Sequence, residues 1–379
     1  MDQRGNLRQL NMKRDNIHYS ILEDDGYGTP IVCVISPREP GKTTSIVLDK
    51  VYASFKKGLP FVVLVNQAAD IMEDYLSSFE TIINKYDGYH IETKYRKSVK
   101  DSCSTITARL GPDEQFRPFI HVIPLSAPLT RLKRLNFGRI GGMWYDECNV
   151  NVAIGEKWPA DLTTKWNELY TTFCRECYPK TLKFYMTGNY YTRYNPLLVY
   201  LGVDCSQLEM GKKILTKQTK MVNGIEVNYS SLVNCYRLKP ELIDYILKHN
   251  PGYAFDDTYQ KYFLGQAIGD EGVPIVEDRP QNYVLKTVFK LGNRYLYIWK
   301  SNNADDHYLW KYWLQATGTA PGKRRDIYVA DLSMLQSGSI FAKGFRGAFE
   351  GIKLAIGRFN VSFNSNEAYY LMQQIYSAL

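Results

Sequence analysis

The sequence predicts an α/β protein: a parallel sheet with helices on both faces, then a small linker, then an α+β unit at the C-terminal end. Three observations predict it. A β-branched apolar run, Ile31-Val32-Cys33-Val34-Ile35, feeds a Gly-containing loop and then a helical pattern. A second apolar run, Ile140 to Tyr145, stops at the acidic pair Asp146-Glu147. Between and beyond these runs, strand and helix patterns alternate to about residue 204, as parallel strands joined by crossovers require.

The first strand delivers Ser36-Pro37-Arg38-Glu39-Pro40-Gly41-Lys42-Thr43-Thr44 to its C-terminal end, where parallel sheets bind ligands. Gly41 lacks the Cβ that would hold backbone N–H groups away from phosphate oxygens. Lys42 is expected to set its ammonium on the β- and γ-phosphates of ATP, and Thr43 to hold Mg²⁺ through its hydroxyl. The helix that opens here attracts the anion as well. Its packed face is Ile46, Val47, Leu48, Val51 and Tyr52. Ser36 departs from the usual pattern, which begins with Gly, so a differently shaped loop is allowed.

Further strands are expected at Phe61–Val65, near Phe119–Ile123, at Gly142–Tyr145 and at Phe184–Met186. The gap between Lys42 and Asp146 leaves room for an extra strand and helix. Alone, an apolar run ending in Asp-Glu also describes a helix N-terminus. Paired with Lys42, it gives Asp146 a place in the Mg²⁺ shell and makes Glu147 the base that orients and polarises the attacking water. The strand after the helix Leu162 to Cys177 ends in Thr187-Gly188-Asn189. If it lies beside the first strand, Thr187 and Asn189 sit next to the γ-phosphate and can report its presence.

From Cys205 to about Tyr283 the pattern changes: a hairpin-like Met221–Val227, short helices around 240–248 and 255–264, and an acidic close at 269–280. The last unit reads as strands at 287–291, 295–300, 308–314 and 326–329, a helix from Phe345 to Ala355, a strand Phe359–Phe363 and a final helix. The predicted boundaries are 1–204, 205–283 and 284–379.

A net charge of +8 suits a polyanionic partner. The cations cluster: Lys94, Arg96, Lys97 and Lys100; Arg131, Lys133, Arg134 and Arg139; Lys212, Lys213, Lys217 and Lys220; and Lys323-Arg324-Arg325. Seven scattered cysteines argue against a disulfide framework. Cys174 and Cys177 lack the second pair or the histidines that zinc needs. No run approaches the roughly 18 apolar residues of a membrane helix, and Met1 to Arg14 lacks a signal-peptide core, so no membrane partner is expected.

Ser36, Arg38, Gly41, Lys42, Thr43 and Thr44 fit the phosphate-loop variant of the large terminases of tailed phages. Asp146-Glu147 and Thr187–Asn189 look like that family's acidic and coupling motifs. Within it, the chain most resembles the DNA-packaging ATPases of the small protein-primed podophages. Its short length, the Ile123-Pro124-Leu125-Ser126 stretch and the Asn195-Pro196 pair carry this likeness. The motifs cover the first 200 or so residues; over the last 100 or so only the pattern agrees.

The resemblance implies a P-loop NTPase of the additional-strand, catalytic-glutamate type, a linker or lid, and an RNase H-like end. It implies a homopentameric ring at the capsid portal, docked directly or through a scaffold RNA, driving double-stranded DNA into a prohead in the host cytoplasm. It gives Arg38 a catalytic part and makes Arg175 an arginine acting in trans, with Arg131, Lys133 or Arg134 as a second basic donor. The strand Arg294 to Lys300 has no acid, and Asn364-Ser365-Asn366 stands where an acidic pair is expected, so a vestigial nuclease is implied. A cutting terminase, a helicase and a connector with a spent loop are the competing readings.

Overall fold

The computed structural model describes residues 18–38, 40–87, 91–97, 103–151, 156, 158–178, 180–249, 274–291, 294–302, 311–322, 326–329, 339–342, 347, 349–357 and 360–376. Glu39, Lys100, Lys323–Arg325 and the helix expected at 255–264 lie outside them.

The first sheet has nine strands: β1 (Ile31–Ser36), β2 (Phe61–Val65), β3 (Glu92–Lys97), β4 (Ser104–Arg109), β5 (Arg117–Pro124), β6 (Met143–Tyr145), β7 (Phe184–Asn189), β8 (Lys213–Val222) and β9 (Ile225–Cys235). Their order is β3-β4-β5-β2-β6-β7-β1-β9-β8. The six strands from β5 to β9 in that order run parallel. Along β1, Ile31, Cys33 and Ile35 enter one core and Val32 and Val34 the other. Burial on both faces explains the unbroken apolar run.

One face is covered by α6 (Leu162–Cys177), through Leu162, Trp166, Leu169 and Phe173. The other is covered by the helix after β1 and by α4 (Glu73–Asp87), through Leu76, Phe79 and Ile83. The helix after β1 begins as α2 (Lys42–Ile46), passes through a π-helical turn (Val47–Tyr52) and ends as α3 (Ala53–Lys56).

Two expectations are corrected. The sheet is mixed, because β3–β4–β5 and β8–β9 are antiparallel. The polar sequence of β3, Glu92-Thr93-Lys94-Tyr95-Arg96-Lys97, belongs to an edge strand and shows no apolar period. The first sheet also continues past residue 204. The hairpin assigned to the linker is β8–β9, and β9 pairs in parallel with β1, Ile31 against Ser231. Asp24, fully buried at the end of α1 (Ile21–Asp25), fastens it. Its carboxylate accepts from Lys213 Nζ at 2.7 Å, Asn234 Nδ2 at 2.7 Å and the Tyr19 hydroxyl at 2.8 Å.

Past α8 (Pro240–His249), a second sheet holds β10 (Tyr283–Leu291), β11 (Arg294–Ser301), β12 (Tyr312–Thr317), β13 (Ile327–Val329), β14 (Ser339–Phe341) and β15 (Val361–Phe363). The order is β14-β13-β10-β11-β12-β15. β10, β11 and β12 are antiparallel, whereas β13 joins β10 in parallel. Helices α9 (Glu350–Gly357) and α10 (Asn366–Tyr376) fill this core with Ile352, Ala355, Leu371 and Ile375. Among the described residues, no helix is long and apolar enough to cross a membrane.

Candidate nucleotide-binding site

β1 and β7 are neighbours in register, so Ser36 lies beside Asn189 at the C-terminal edge of the sheet. From Ser36 the chain turns into α2 at Gly41, whose φ of 89° is left-handed and suits glycine. The expected pairing of the first strand with the Thr-Gly-Asn strand is therefore present.

Lys42 is buried, and its ammonium donates to Ser36 Oγ at 2.7 Å, to the Pro37 carbonyl at 3.0 Å and to Asn189 Oδ1 at 3.3 Å. This gives the unusual Ser36 a reason. Its hydroxyl accepts from Lys42 and donates to the Pro37 carbonyl at 2.7 Å, which a glycine could not do. Burial pulls the Lys42 amine down to about 8, although the Asp146 charge opposes the shift. Arg38 is exposed, with its guanidinium on the Tyr191 hydroxyl at 2.8 and 2.9 Å. Thr43 and Thr44 are half-buried in the first turn of α2, and the Pro40 carbonyl accepts the Tyr19 N–H at 2.8 Å.

β6 lies next to β7 and delivers Asp146 to the same edge. Asp146 is buried. Oδ1 accepts from Thr187 Oγ1 at 3.0 Å and from the Glu147 N–H at 3.1 Å, and Oδ2 accepts from the Tyr75 hydroxyl at 3.2 Å. Thr187 Oγ1 in turn accepts Trp144 Nε1 at 2.8 Å. Burial pushes the Asp146 carboxyl up to about 6; the Glu147 charge adds to this and the hydrogen bonds oppose it.

Glu147 takes φ 48°, a left-handed conformation that costs a non-glycine residue about 1–2 kcal/mol. Its carbonyl is held by Asn66 Nδ2 at 2.9 Å. The turn leaves Asp146 buried and Glu147 exposed, side by side. One carboxylate is thus held rigidly by protein donors and the other faces solvent, the division needed between a metal ligand and a base for water.

Thr187 reaches Asp146, and Asn189 reaches Lys42. Tyr75, Trp144 and Asn66 complete the set and had no motif to reveal them. Tyr75 lies on α4, and only its bond to Asp146 distinguishes it from another packed helix residue.

Arg175 is elsewhere. It is exposed in the last turn of α6, where the neighbouring Cys177 Sγ donates to the Ile140 carbonyl just before β6 begins. That is the N-terminal edge of the sheet. The length of β7, about 17 Å at strand rise, separates the two edges, so Arg175 cannot serve its own Lys42. Arg131 lies in the short α5 (Leu129–Leu132) after β5, on the same edge as Glu147, while Lys133 meets Glu168 at 3.2 Å and Arg134 is exposed. Lys94, Arg96 and Lys97 are on the edge strand β3; Lys94 lies 4.1 Å from the Phe116 ring centroid.

No protein-family model and no curated protein matches the sequence. Among solved structures, the Phi-28 gp11 DNA packaging motor is similar with a TM-score of 0.62 and 14% identity, covering 96% of this chain and 98% of that one. The bacteriophage Phi-29 viral genome packaging motor assembly is similar at 0.49 and 14%, covering 95% and 99%. The N-terminal domain of the DNA packaging ATPase from bacteriophage phi29 is similar at 0.38 and 13%, covering 57% and 94%. Over nearly its whole length, the chain has the fold of a bacteriophage DNA packaging motor.

Proposed function

We propose that the chain is an ATP-hydrolysing motor that drives double-stranded viral DNA into a preformed prohead. The observation that carries this is the meeting of Lys42, Asp146, Glu147 and Asn189 at one sheet edge, within a fold shared end to end with a packaging motor. On this reading Ser36, Pro37, Arg38, Pro40, Gly41 and Thr44 cradle the phosphates, and Lys42 leaves Asn189 for the γ-phosphate. Losing that ammonium is how Asn189 reports the nucleotide to β7. Glu147 takes the proton of the water that attacks the γ-phosphorus.

The Thr43 hydroxyl and the Asp146 carboxylate are oxygen donors of the kind Mg²⁺ takes, and would hold it against the phosphates to neutralise their charge. Arg175 serves the site of a neighbouring subunit in a homopentameric ring on the portal vertex. A finger of this kind raises turnover roughly 10³–10⁵-fold in other NTPases.

The second sheet supports an RNase H-like reading, since three antiparallel strands are joined on one side by a parallel β13. β10 and β11 share the middle of this six-stranded sheet, and β10, like the β11 segment Arg294 to Lys300, lacks an acid. The Asn364 amide accepts the Ala316 N–H at 2.9 Å and donates to the Ala316 carbonyl at 3.4 Å, a structural task a carboxylate could not perform. This domain docks the motor and binds nucleic acid without cutting it.

The test is ATP-dependent protection of linear duplex DNA from nuclease, with purified proheads and either the wild type or Glu147→Gln. Protection by the wild type alone is the expected result. DNA-stimulated ATP turnover without protection would leave an ATPase but not a packaging motor.

A further inference from the structure

On the sheet edge opposite Lys42 there is a cavity of about 280 Å³. Its walls are the π-turn and α3, the end of α6, and the residues entering β2, β6 and β7. The opposite ends of the helix after β1, of β6 and of β7 carry Lys42, Asp146 and Asn189.

The lining is strongly cationic. Lys50, Lys57, Arg139, Lys180 and Lys183 face Asp49 as the one acid among the lining residues. Asp49 accepts from the Ser45 hydroxyl at 3.0 Å. Lys50 and Lys183 share Asp25 of α1, the latter at 3.4 Å. Five cations against the two carboxylates Asp49 and Asp25 leave a surplus of three. Lys57, Arg139 and Lys180 are exposed, and no described carboxylate pairs with any of them. Like charges gathered without counter-charges on rigid walls repel one another, and a bound anion would relieve this.

We propose that this cavity takes a phosphodiester group of duplex DNA, held by Lys57, Arg139 and Lys180. The inference rests on the reading of the chain as a DNA motor. It adds the place where the backbone is gripped, at the far ends of the elements that hold the nucleotide.

The test measures binding of the full chain to a short fluorescent DNA duplex over a range of salt, without ATP. The combined variant Lys57→Ala, Arg139→Ala, Lys180→Ala is expected to bind about tenfold or more weakly. Its plot of log K against log salt should be shallower by about 2–3. Basal ATP turnover should be unchanged and its stimulation by DNA lost. The charge-conserving set Lys57→Arg, Arg139→Lys, Lys180→Arg should keep most of the affinity. Wild-type affinity and slope in the alanine variant would overturn the inference while leaving the motor reading intact. A loss confined to an RNA duplex or to a fluorescent ATP analogue would overturn it too. A wild type that binds no duplex would overturn both.

Discussion

Asp146 is buried against Thr187 and Tyr75, yet its proposed task requires charge. Its folded pKa, about 6, lies above the roughly 3.9 of an unfolded chain. The folded state therefore binds the proton more tightly. The ionised group opposes folding above about pH 6, and this opposition fades as the pH falls towards 4. Asp146→Asn is expected to raise unfolding stability at pH 7.5 by about 1–3 kcal/mol and to abolish ATP turnover. Denaturant titrations at pH 7.5 and pH 4 check this; an equal gain at both would remove the burial explanation. That Lys42, Asp146, Glu147 and Asn189 share one sheet edge was legible in the sequence, because each stands just past or at the end of an apolar run that reads as a buried strand. Tyr75 and Trp144 were not, since nothing but the fold brings an α4 hydroxyl to the Asp146 carboxylate and a β6 indole to the Thr187 hydroxyl. Ser36 looked like a departure, and its role became visible only with the Lys42 ammonium on it.

The strands of the parallel core stood out because burial on both faces forces continuous apolar runs, and Phe61–Val65 has the predicted bounds. The edge strands β3 and β8 did not stand out along their length. A strand with one open edge and one solvated face carries lysines and threonines, so β3 and β8 resemble loops in composition. The β8–β9 hairpin was seen, but its partner, β1, lies some two hundred residues earlier, and no local pattern reports that. Its anchorage is testable. Lys213→Met leaves Asp24 buried without its cation. A loss of about 2–3 kcal/mol is expected, less than for a fully buried pair because the Lys213 side chain is 34% exposed. Denaturant unfolding measures it, and a change below about half a kcal/mol would mean that the hairpin is held by its ladder alone.

At the scale of the whole molecule, the two sheets meet through the segment after the Thr-Gly-Asn strand. Tyr194 stacks on Tyr370 of α10 with ring centroids 6.1 Å apart, and Val199 of α7 (Pro196–Tyr200) packs against the C-terminal core. A change at Asn189 thus has a short path to the second sheet. The placement of Arg175 makes the proposed ring testable. A chain with Lys42→Ala and one with Arg175→Ala should each be inactive, yet mixing them on proheads should restore part of the ATP turnover. No recovery would count against an arginine supplied in trans. The strands of the second unit were legible in the sequence, whereas its relation to the first unit was not, because isolated aromatic contacts leave no periodicity. The pairing of β1 with β9 has one last consequence, for synthesis. β1 is made before both its neighbours, β7 and β9, which follow only at residues 184–189 and 231–235. Until then the emerging chain carries an apolar strand with open hydrogen-bonding edges, so this protein should depend on chaperones during translation more than a chain of local hairpins would.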